Sequence, residues 1–185
     1  MICYRHANYR TPLRSLASAQ RGARYHRGTE AEPTQYLALH PLGPHAEILR
    51  NNDLRRPEQA RALRLRTWAL EISLDDLVEV PFAAALVDDD YEACRLLADR
   101  LRAENAPGAV VPSAALPGTQ NVVLFGARVA GPYGAPALSA IDVPASMTGE
   151  NGEALVAVQP LVRFRGDRHP GGRFVFEEPS WKLGG

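Results

Sequence analysis

The sequence contains few cysteines, which limits how its fold can be held together. Its 185 residues include only Cys3 and Cys94, and these form no Cys-x-x-Cys pair. Disulfide frameworks and cysteine-based zinc sites need more cysteines than this. The residues His26, His40 and His45 also lack a His-x-x-x-His spacing typical of zinc ligands. We therefore expect a reduced protein without a metal site.

Long apolar runs and a net charge are absent as well. No stretch is long enough to cross a bilayer, and the N-terminus MICYRHANYR lacks the apolar run of a signal peptide. The 21 basic and 21 acidic residues cancel, which argues against a general nucleic-acid or membrane coat. We expect a cytoplasmic protein. With 45% hydrophobic residues it can bury a core as one domain over residues 1–185.

The charges are nevertheless distributed unevenly along the chain. Residues 1–66 carry twelve Arg and five acidic residues, whereas residues 67–104 carry three Arg and ten acidic residues. A basic N-terminal third fits a ligand that bears phosphate, and it fits a solvated arginine-rich surface equally well.

Residues 22–47 contain three residue types that suit the parts of a nucleotide. Arg24 lies between Gly22 and Gly28; its guanidinium can bind two phosphate oxygens at once, and glycines let the backbone approach closely. Tyr36 can stack on a flat ring and still donate a hydrogen bond. Glu47 can accept hydrogen bonds from ribose hydroxyls and stabilise positive charge at an anomeric carbon. The stretch indicates glycosidic chemistry on a nucleotide.

The spacing of apolar and turn-forming residues predicts an α+β fold. Strands are expected at residues 2–5, 36–39, 68–72, 109–111 and 121–125. A helix should begin near residue 45, with Glu47 in its first turn, where the helix dipole would favour the ionised carboxylate. A second helix is expected over residues 90–104, with Asp89 and Glu92 as a capping box. Ser113 follows a buried strand, at the end where sheets carry functional groups.

In the C-terminal third, the spacing of apolar residues indicates secondary structure less clearly. Residues 126–152 are rich in Gly, Pro, Ala and Ser, which predicts an irregular connection. Alternating apolar runs then predict three further strands around a turn at residues 166–172, namely 155–158, 161–164 and 173–176.

Several of these residues, taken in order, resemble one family. The motifs are Tyr4-Arg5, Gly22-Ala23-Arg24-Tyr25, Tyr36-Leu37-Ala38, Glu47, Val111-Pro112-Ser113-Ala114 and Asn121-Val122-Val123-Leu124. Their order and spacing are similar to those of the RES-domain proteins, named for an Arg, a Glu and a Ser. The resemblance spans residues 2–130, and residues 131–185 would supply strands that complete or extend the domain.

The resemblance implies a fold similar to ADP-ribosyltransferase toxins, with a mixed or antiparallel sheet and flanking helices. RES-domain proteins are usually toxins of bacterial toxin–antitoxin pairs. They consume NAD as substrate, without a further cofactor, and cleave the ribosyl–nicotinamide bond with water, phosphate or a protein side chain as acceptor. The usual partner is an Xre-type helix-turn-helix antitoxin that blocks the site. Nucleic acid would then be reached only through the antitoxin, and assemblies with the antitoxin or of several copies are compatible with this.

Carried over by position, the resemblance also assigns residues. Arg24, Glu47 and Ser113 match the family's Arg, Glu and Ser and are the expected catalytic residues, while Arg5 and Tyr36 match other NAD-site residues. Arg5 and Arg24 would hold the pyrophosphate, and Tyr36 would pack against the nicotinamide or its ribose. Glu47 would hold that ribose. Ser113 would hydrogen-bond the nicotinamide amide or a phosphate and would not act as a nucleophile.

The sequence departs from the family at three places. Ala23 replaces the second glycine of a pair, His26 stands where Asn is usual, and residues 125–128 read Phe-Gly-Ala-Arg where an Asn-Pro-x-His-like run is expected. A non-catalytic interaction module on the same scaffold is therefore the alternative. A cavity that joins Arg24, Glu47 and Ser113 favours the enzyme, whereas Glu47 buried in a salt bridge without a cavity favours the interaction module.

Overall fold

The structure is a computed structural model that describes residues 1–6, 22–28, 34–62, 67–71, 75–125, 140–142 and 158–177. Strands and helices alternate irregularly along this part of the chain. In order they are β1 Ile2–His6, β2 Thr34–Ala38, α1 Gly43–Asn51, α2 Pro57–Ala62, β3 Thr67–Glu71, β4 Val78–Glu79, α3 Ala84–Val87, α4 Glu92–Ala103, β5 Gly108–Pro112, β6 Gln120–Phe125 and β7 Ala140–Asp142. A 3₁₀ helix follows at Gln159–Leu161.

The strands form one sheet in the order β4-β5-β6-β2-β1-β3-β7. β4 and β5 are parallel, and the other neighbours are antiparallel. In the centre Tyr36 pairs with Val123, and Ala38 pairs with Asn121 on one side. On its other side Ala38 pairs with Tyr4. Because directly paired residues of a sheet project to the same side, these five side chains share one face, which we call the site face.

Both faces of the central strands are buried. On the site face, α4 packs through Cys94, Ala98 and Leu101 against residues of β5 and β6, namely Ala109, Val111, Val123 and Phe125. The opposite face has its own cluster, made by Cys3, Leu37, Val110, Val122 and Leu124. Strands buried on both sides are expected to be continuously apolar, and this explains why the sequence predicts β5 and β6.

A third cluster surrounds α1. Leu42, Ala46 and Leu49 of this region pack against Ala115 and Leu116 and against the C-terminal residues Val158, Val162 and Phe164. The segment at residues 158–167 is therefore folded onto the outside of α1. This packing places the C-terminal segment close to the site described below.

The predicted α+β class, with a mixed sheet and flanking helices, is confirmed by this arrangement. The strands predicted at residues 161–164 and 173–176 are wrong, because the described residues 158–177 contain a 3₁₀ helix and no strand. Val162 and Phe164 alternate because they pack on α1. The amide of Arg163 donates to the Ala115 carbonyl at 2.9 Å, a contact that is not part of a ladder.

Three further expectations need correction or lie outside the described residues. β7 lies within residues 126–152, for which the sequence predicts an irregular connection. The rest of that segment, residues 10–21, which the sequence predicts as a loop, and residues 155–157 lie outside the described residues. Asp89 does not cap α4: the residue before the helix is Tyr91, and the Asp90 carboxylate accepts from the Glu92 amide at 3.0 Å. Asp89 instead pairs with Arg50. A search of the described helices for length and apolarity sufficient to span a membrane finds none.

Candidate active site

A cavity of about 510 Å³ opens on the site face beside α1. Four of the five predicted site residues border this site cavity: Arg5, Arg24, Tyr36 and Glu47. Four residues without a predicted role also line it: Tyr4, Tyr91, Asn121 and Arg165. The structure thus joins Arg24 and Glu47 at one cavity, but Ser113, which the enzyme hypothesis also places there, is not among the lining residues.

Arg24 lies at the tip of a tight turn. Ala23 and His26 form an isolated antiparallel bridge, with the Ala23 amide donating to the His26 carbonyl at 2.8 Å, so that the half-buried Arg24 lies at the bend. The base of the turn is narrow: a Cβ atom on Gly22 would lie 2.8 Å from the Arg27 carbonyl oxygen. Only glycine fits there, because the turn closes tightly on itself; that the glycines let the backbone approach a ligand stays a prediction.

Helix α4 holds this turn in place. Arg27 forms ion pairs with Glu92 at 2.8 Å and with Asp99 at 3.1 Å, and Arg95 Nε donates to the Ala23 carbonyl at 3.2 Å. Basic residues of the N-terminal third therefore pair with acidic residues of the stretch that follows it. This pairing accounts for part of the uneven charge distribution along the chain.

In the part of the chain that the structure describes, the Arg24 guanidinium pairs with no carboxylate. Its Nη1 donates to the carbonyl oxygens of Leu86 at 3.2 Å and Asp88 at 2.7 Å, and its Cζ lies 4.5 Å from the centroid of the Tyr91 ring. Its Nε and Nη2 groups donate to no acceptor among the described residues. These contacts orient a cation at the cavity wall, where it can bind an anion.

Glu47 occupies a different place in α1 than the sequence predicts. The helix begins at Gly43, so Glu47 is its fifth residue, and the first turn contains no acidic residue. The helix dipole therefore gives it little stabilisation. Instead Asn121 Nδ2 donates to Glu47 Oε1 at 3.1 Å. The half-buried carboxylate lines the cavity without an ion pair to any described cation, the arrangement that favours the enzyme hypothesis.

Tyr36 connects the sheet to the turn that carries Arg24. Its hydroxyl accepts a hydrogen bond from the Tyr25 amide at 3.0 Å and lies 3.2 Å from His26 Nδ1. Tyr25 and His26 are both buried. The hydroxyl of Tyr36 is thus used to position the turn, and its ring lies on the site face.

Arg5 borders the cavity but directs its charged group elsewhere. Its Nη1 donates to Gln35 Oε1 at 2.9 Å. The register pairs Tyr4 with Ala38, so alternation along the strands puts Arg5 and Gln35 on the face opposite Tyr4. Burial lowers the pKa of the Arg5 guanidinium, which stays charged. The expectation that Arg5 and Arg24 form one phosphate clamp is not supported by this geometry.

Ser113 does not line the site cavity, contrary to our expectation that it would converge with Arg24 and Glu47. Its neighbours Pro112 and Ala114 do. The Ser113 hydroxyl accepts from the Leu116 amide at 3.1 Å, and the residue lines a separate cavity of about 400 Å³. The Ser113 side chain therefore stabilises the loop that follows β5.

Sequence reasoning assigned no role to Asn121, Tyr91 or Arg165. Asn121 belongs to one of the motifs shared with the family and lies at the start of a strand. These two features could have identified it as a site residue. Tyr91 belongs to the predicted apolar face of a helix, which concealed its place in the site. Arg165 had no local signal, because it reaches the cavity only when the C-terminal segment packs on α1.

The described residues contain no group of three or more His, Cys, Asp or Glu side chains arranged to hold a metal ion. Cys3 and Cys94 are both buried and unpaired. The site is therefore built from arginine, tyrosine, amide and carboxylate groups, and that a metal is not used stays a prediction.

Comparisons with known proteins now place the chain in a class. A family model of the RES domain matches residues 2–146, somewhat beyond the residues that carried the resemblance. The chain therefore belongs to the RES-domain family. Its predicted membership is confirmed.

One solved structure provides a fold of the same kind. A chain of the M. tuberculosis MbcT-MbcA toxin-antitoxin complex aligns with a TM-score of 0.63 over 84% of this chain and 88% of that chain, at 16% sequence identity. At this identity the likeness shows the fold alone. A search of curated proteins found no match.

Proposed function

We propose that this protein is the toxin of a bacterial toxin–antitoxin pair and that it cleaves the nicotinamide–ribose bond of NAD. The observation that carries the proposal is the placement of Glu47, Arg24 and Tyr36 around one cavity. Family membership supports it, because the matched domain covers most of the chain. The arrangement that would favour a non-catalytic module, a buried Glu47 salt bridge without a cavity, is absent from the described residues.

The carboxylate end of the cavity supplies the chemistry. As nicotinamide leaves, positive charge develops on the ribose, and a carboxylate close to the anomeric carbon stabilises that charge. Glu47 is the carboxylate in this position, and the Asn121 amide holds its orientation. Nicotinamide is bound as a cation and departs neutral, so no strong general acid is required. An oriented carboxylate is sufficient for this step.

The cationic end of the cavity binds and orients the substrate. Arg24 can form paired hydrogen bonds to the pyrophosphate, and fixing a flexible dinucleotide lowers the entropic part of the barrier. The ring of Tyr36, on the same face, would pack against the nicotinamide or its ribose. Ser113 acts indirectly in this proposal, because its hydroxyl holds the loop whose residue Ala114 lines the cavity.

The proposed partner is an Xre-type antitoxin that covers the site cavity in the cytoplasm. The solved chain with the similar fold comes from a toxin–antitoxin complex, which supports a partner of this kind for this chain. The test adds a helix-turn-helix protein encoded by a neighbouring open reading frame. We expect this protein to cover the site cavity and to inhibit NAD cleavage.

The test is NAD consumption by the purified wild type, Glu47→Gln and the matched control Glu58→Gln, which changes an exposed carboxylate of α2. Nicotinamide and ADP-ribose products are resolved by chromatography, with and without inorganic phosphate. We expect turnover by the wild type and the control, and about a 100-fold to 1000-fold loss in Glu47→Gln. ADP-ribose as product indicates water as acceptor, and an ADP-ribose phosphate indicates phosphorolysis.

A third arm covers transfer to protein. Labelled NAD is incubated with the wild type and a cell lysate, and incorporation into protein is followed. Label that Glu47→Gln fails to transfer supports an ADP-ribosyltransferase. No NAD loss and no labelled protein in any arm would contradict the proposed function.

A further inference from the structure

The site cavity contains a second guanidinium that the N-terminal motifs do not include. Arg165 lies in the turn that follows the buried segment at residues 158–164 and lines the same cavity as Arg24. Position 165 lies outside the residues matched by the family model. A role for Arg165 is therefore inferred from its contacts in this structure and not from the family's motifs.

Tyr91 brings the two guanidiniums together. The Arg24 Cζ lies 4.5 Å from the centroid of its ring. Arg165 Nη2 donates to the Tyr91 hydroxyl at 2.9 Å, and its Cζ lies 5.9 Å from the same centroid. Arg95 Cζ lies 5.9 Å from this centroid as well, but Arg95 does not line the cavity. Tyr91 thus orients two cavity-lining cations toward a shared space, and each keeps donor groups that Tyr91 does not use.

Within the described residues, Arg24 and Arg165 line the cavity without a carboxylate partner. Arg27, Arg50, Arg55 and Arg163 each form an ion pair with an aspartate or glutamate. In the described ranges, Arg24 donates to carbonyl oxygens and a sulfur, and Arg165 to a hydroxyl. Two like charges in one cavity repel each other unless an anion lies between them. The arrangement is therefore complementary to an anion.

The position of Arg165 is fixed by Asp89, two residues before Tyr91. The Asp89 carboxylate pairs with Arg50, and with Arg163 at 3.2 Å. Its other oxygen accepts from the Gly166 amide at 2.6 Å. Gly166 has a φ of 83°, a conformation that favours glycine. One carboxylate thus connects the loop that carries Tyr91 to the turn that carries Arg165.

We propose that Arg165 is the second phosphate-binding residue of the site, acting with Arg24 on the pyrophosphate of the dinucleotide. This inference rests on the proposed function and replaces Arg5, whose guanidinium is on the other face of the sheet, as the partner of Arg24. The proposed anion is the pyrophosphate of the substrate itself. An inorganic phosphate that attacks the ribose carries the same charge and oxygen atoms, and the test below distinguishes these two anions.

The test compares Arg165→Gln and Arg165→Lys with Arg168→Gln, which changes an exposed arginine three residues later that does not line the site cavity. Affinity for ADP-ribose is measured by calorimetry, and KM and kcat are measured with NAD. We expect Arg165→Gln to weaken ADP-ribose binding and raise KM about tenfold, with kcat nearly unchanged. Arg165→Lys should restore part of the affinity, and Arg168→Gln should match the wild type.

Three results would overturn the inference. Arg165→Gln could bind ADP-ribose as the wild type does; its loss could fall on kcat and thermal stability alone, as expected of a structural residue; or it could raise only the apparent KM for inorganic phosphate. If the wild type neither consumes NAD nor labels protein, the proposed function fails, and ADP-ribose binding still decides about Arg165. A wild type that consumes NAD but binds no ADP-ribose keeps the proposed function, and an unchanged KM for NAD in Arg165→Gln would then overturn the role of Arg165.

Discussion

The two ends of the site cavity are built in different ways. The carboxylate end consists of Glu47 on α1 and Asn121 on β6, two regular elements joined by a side-chain hydrogen bond. The cationic end consists of Arg24, Tyr91 and Arg165, which lie on turns and at a helix entry. Rigid elements position the group that needs accurate placement, and loops present the groups that bind a flexible substrate.

The two ends also differ in the interactions that hold them. The carboxylate end depends on the sheet core. The cationic end depends on two ionic clusters: an exposed one, where Arg27 meets Glu92 and Asp99, and a buried one, where Arg50 and Arg163 meet Asp89. Arg50 is 1% exposed, whereas Arg27 is 34% exposed. The buried cluster should therefore contribute far more to stability than the exposed one.

The largest effect is expected from Asp89→Ala, which breaks the buried cluster. Two arginine side chains, 1% and 7% exposed, would lose a carboxylate that is itself 32% exposed, so we expect a loss of about 2–3 kcal/mol in the free energy of unfolding, measured by chemical denaturation. Asp99→Ala, in the exposed cluster, is the matched control and should change stability little. Equal losses in the two variants would contradict the distinction between the clusters.

The same variant also allows a test by the pH dependence of its stability. Burial raises the pKa of Asp89, but the Gly166 amide and the Arg50 guanidinium lower it by more, so the net direction is downward. A depressed folded-state pKa means that Asp89 stabilises the fold above its unfolded value of about 3.9 and loses this contribution as the pH falls through the folded value. The stability difference between wild type and Asp89→Ala should therefore shrink in acid.

Arg24→Gln tests the cationic end directly. It removes a guanidinium that can form paired hydrogen bonds to phosphate, and we expect KM for NAD to rise roughly 100-fold. Arg61→Gln, an exposed arginine at the end of α2, is the control. A variant with an unchanged KM would show that the pyrophosphate binds elsewhere.

Asn121→Ala tests the carboxylate end. Without the amide donor, Glu47 loses its orientation, so we expect kcat to fall about tenfold while KM changes less. Gln120→Ala, the exposed neighbour in the same strand, should behave as the wild type. An effect on KM alone would mean that Asn121 binds substrate and does not position Glu47.

Tyr91→Phe should have the smallest effect. The ring that contacts Arg24 is kept, and only the hydroxyl that accepts from Arg165 is lost. We expect KM for NAD to rise about threefold, as for one neutral acceptor at a partly exposed site. Tyr91→Ala should raise KM further, and equal values for the two variants would argue against a role for the ring.

The sequence predicted the carboxylate end better than the cationic end. The apolar runs of β2 and β6 and the helical spacing of α4 are local patterns, so these elements and the position of Tyr36 could be expected, although Glu47 lies beyond the first turn of α1. Asp89 was interpreted as a cap because a nearby Glu92 fits the capping pattern, whereas tertiary pairing with Arg50 prevails. Packing onto α1, which no local pattern encodes, turns Arg165 toward the cavity and gives Val162 and Phe164 their alternation.

The most direct test of the proposed site is a crystal structure of Glu47→Gln with NAD bound. We expect the nicotinamide ribose beside position 47 and Asn121, with the pyrophosphate between Arg24 and Arg165. A dinucleotide bound in the reverse direction, or with its pyrophosphate on the Arg5 guanidinium across the sheet, would contradict this placement.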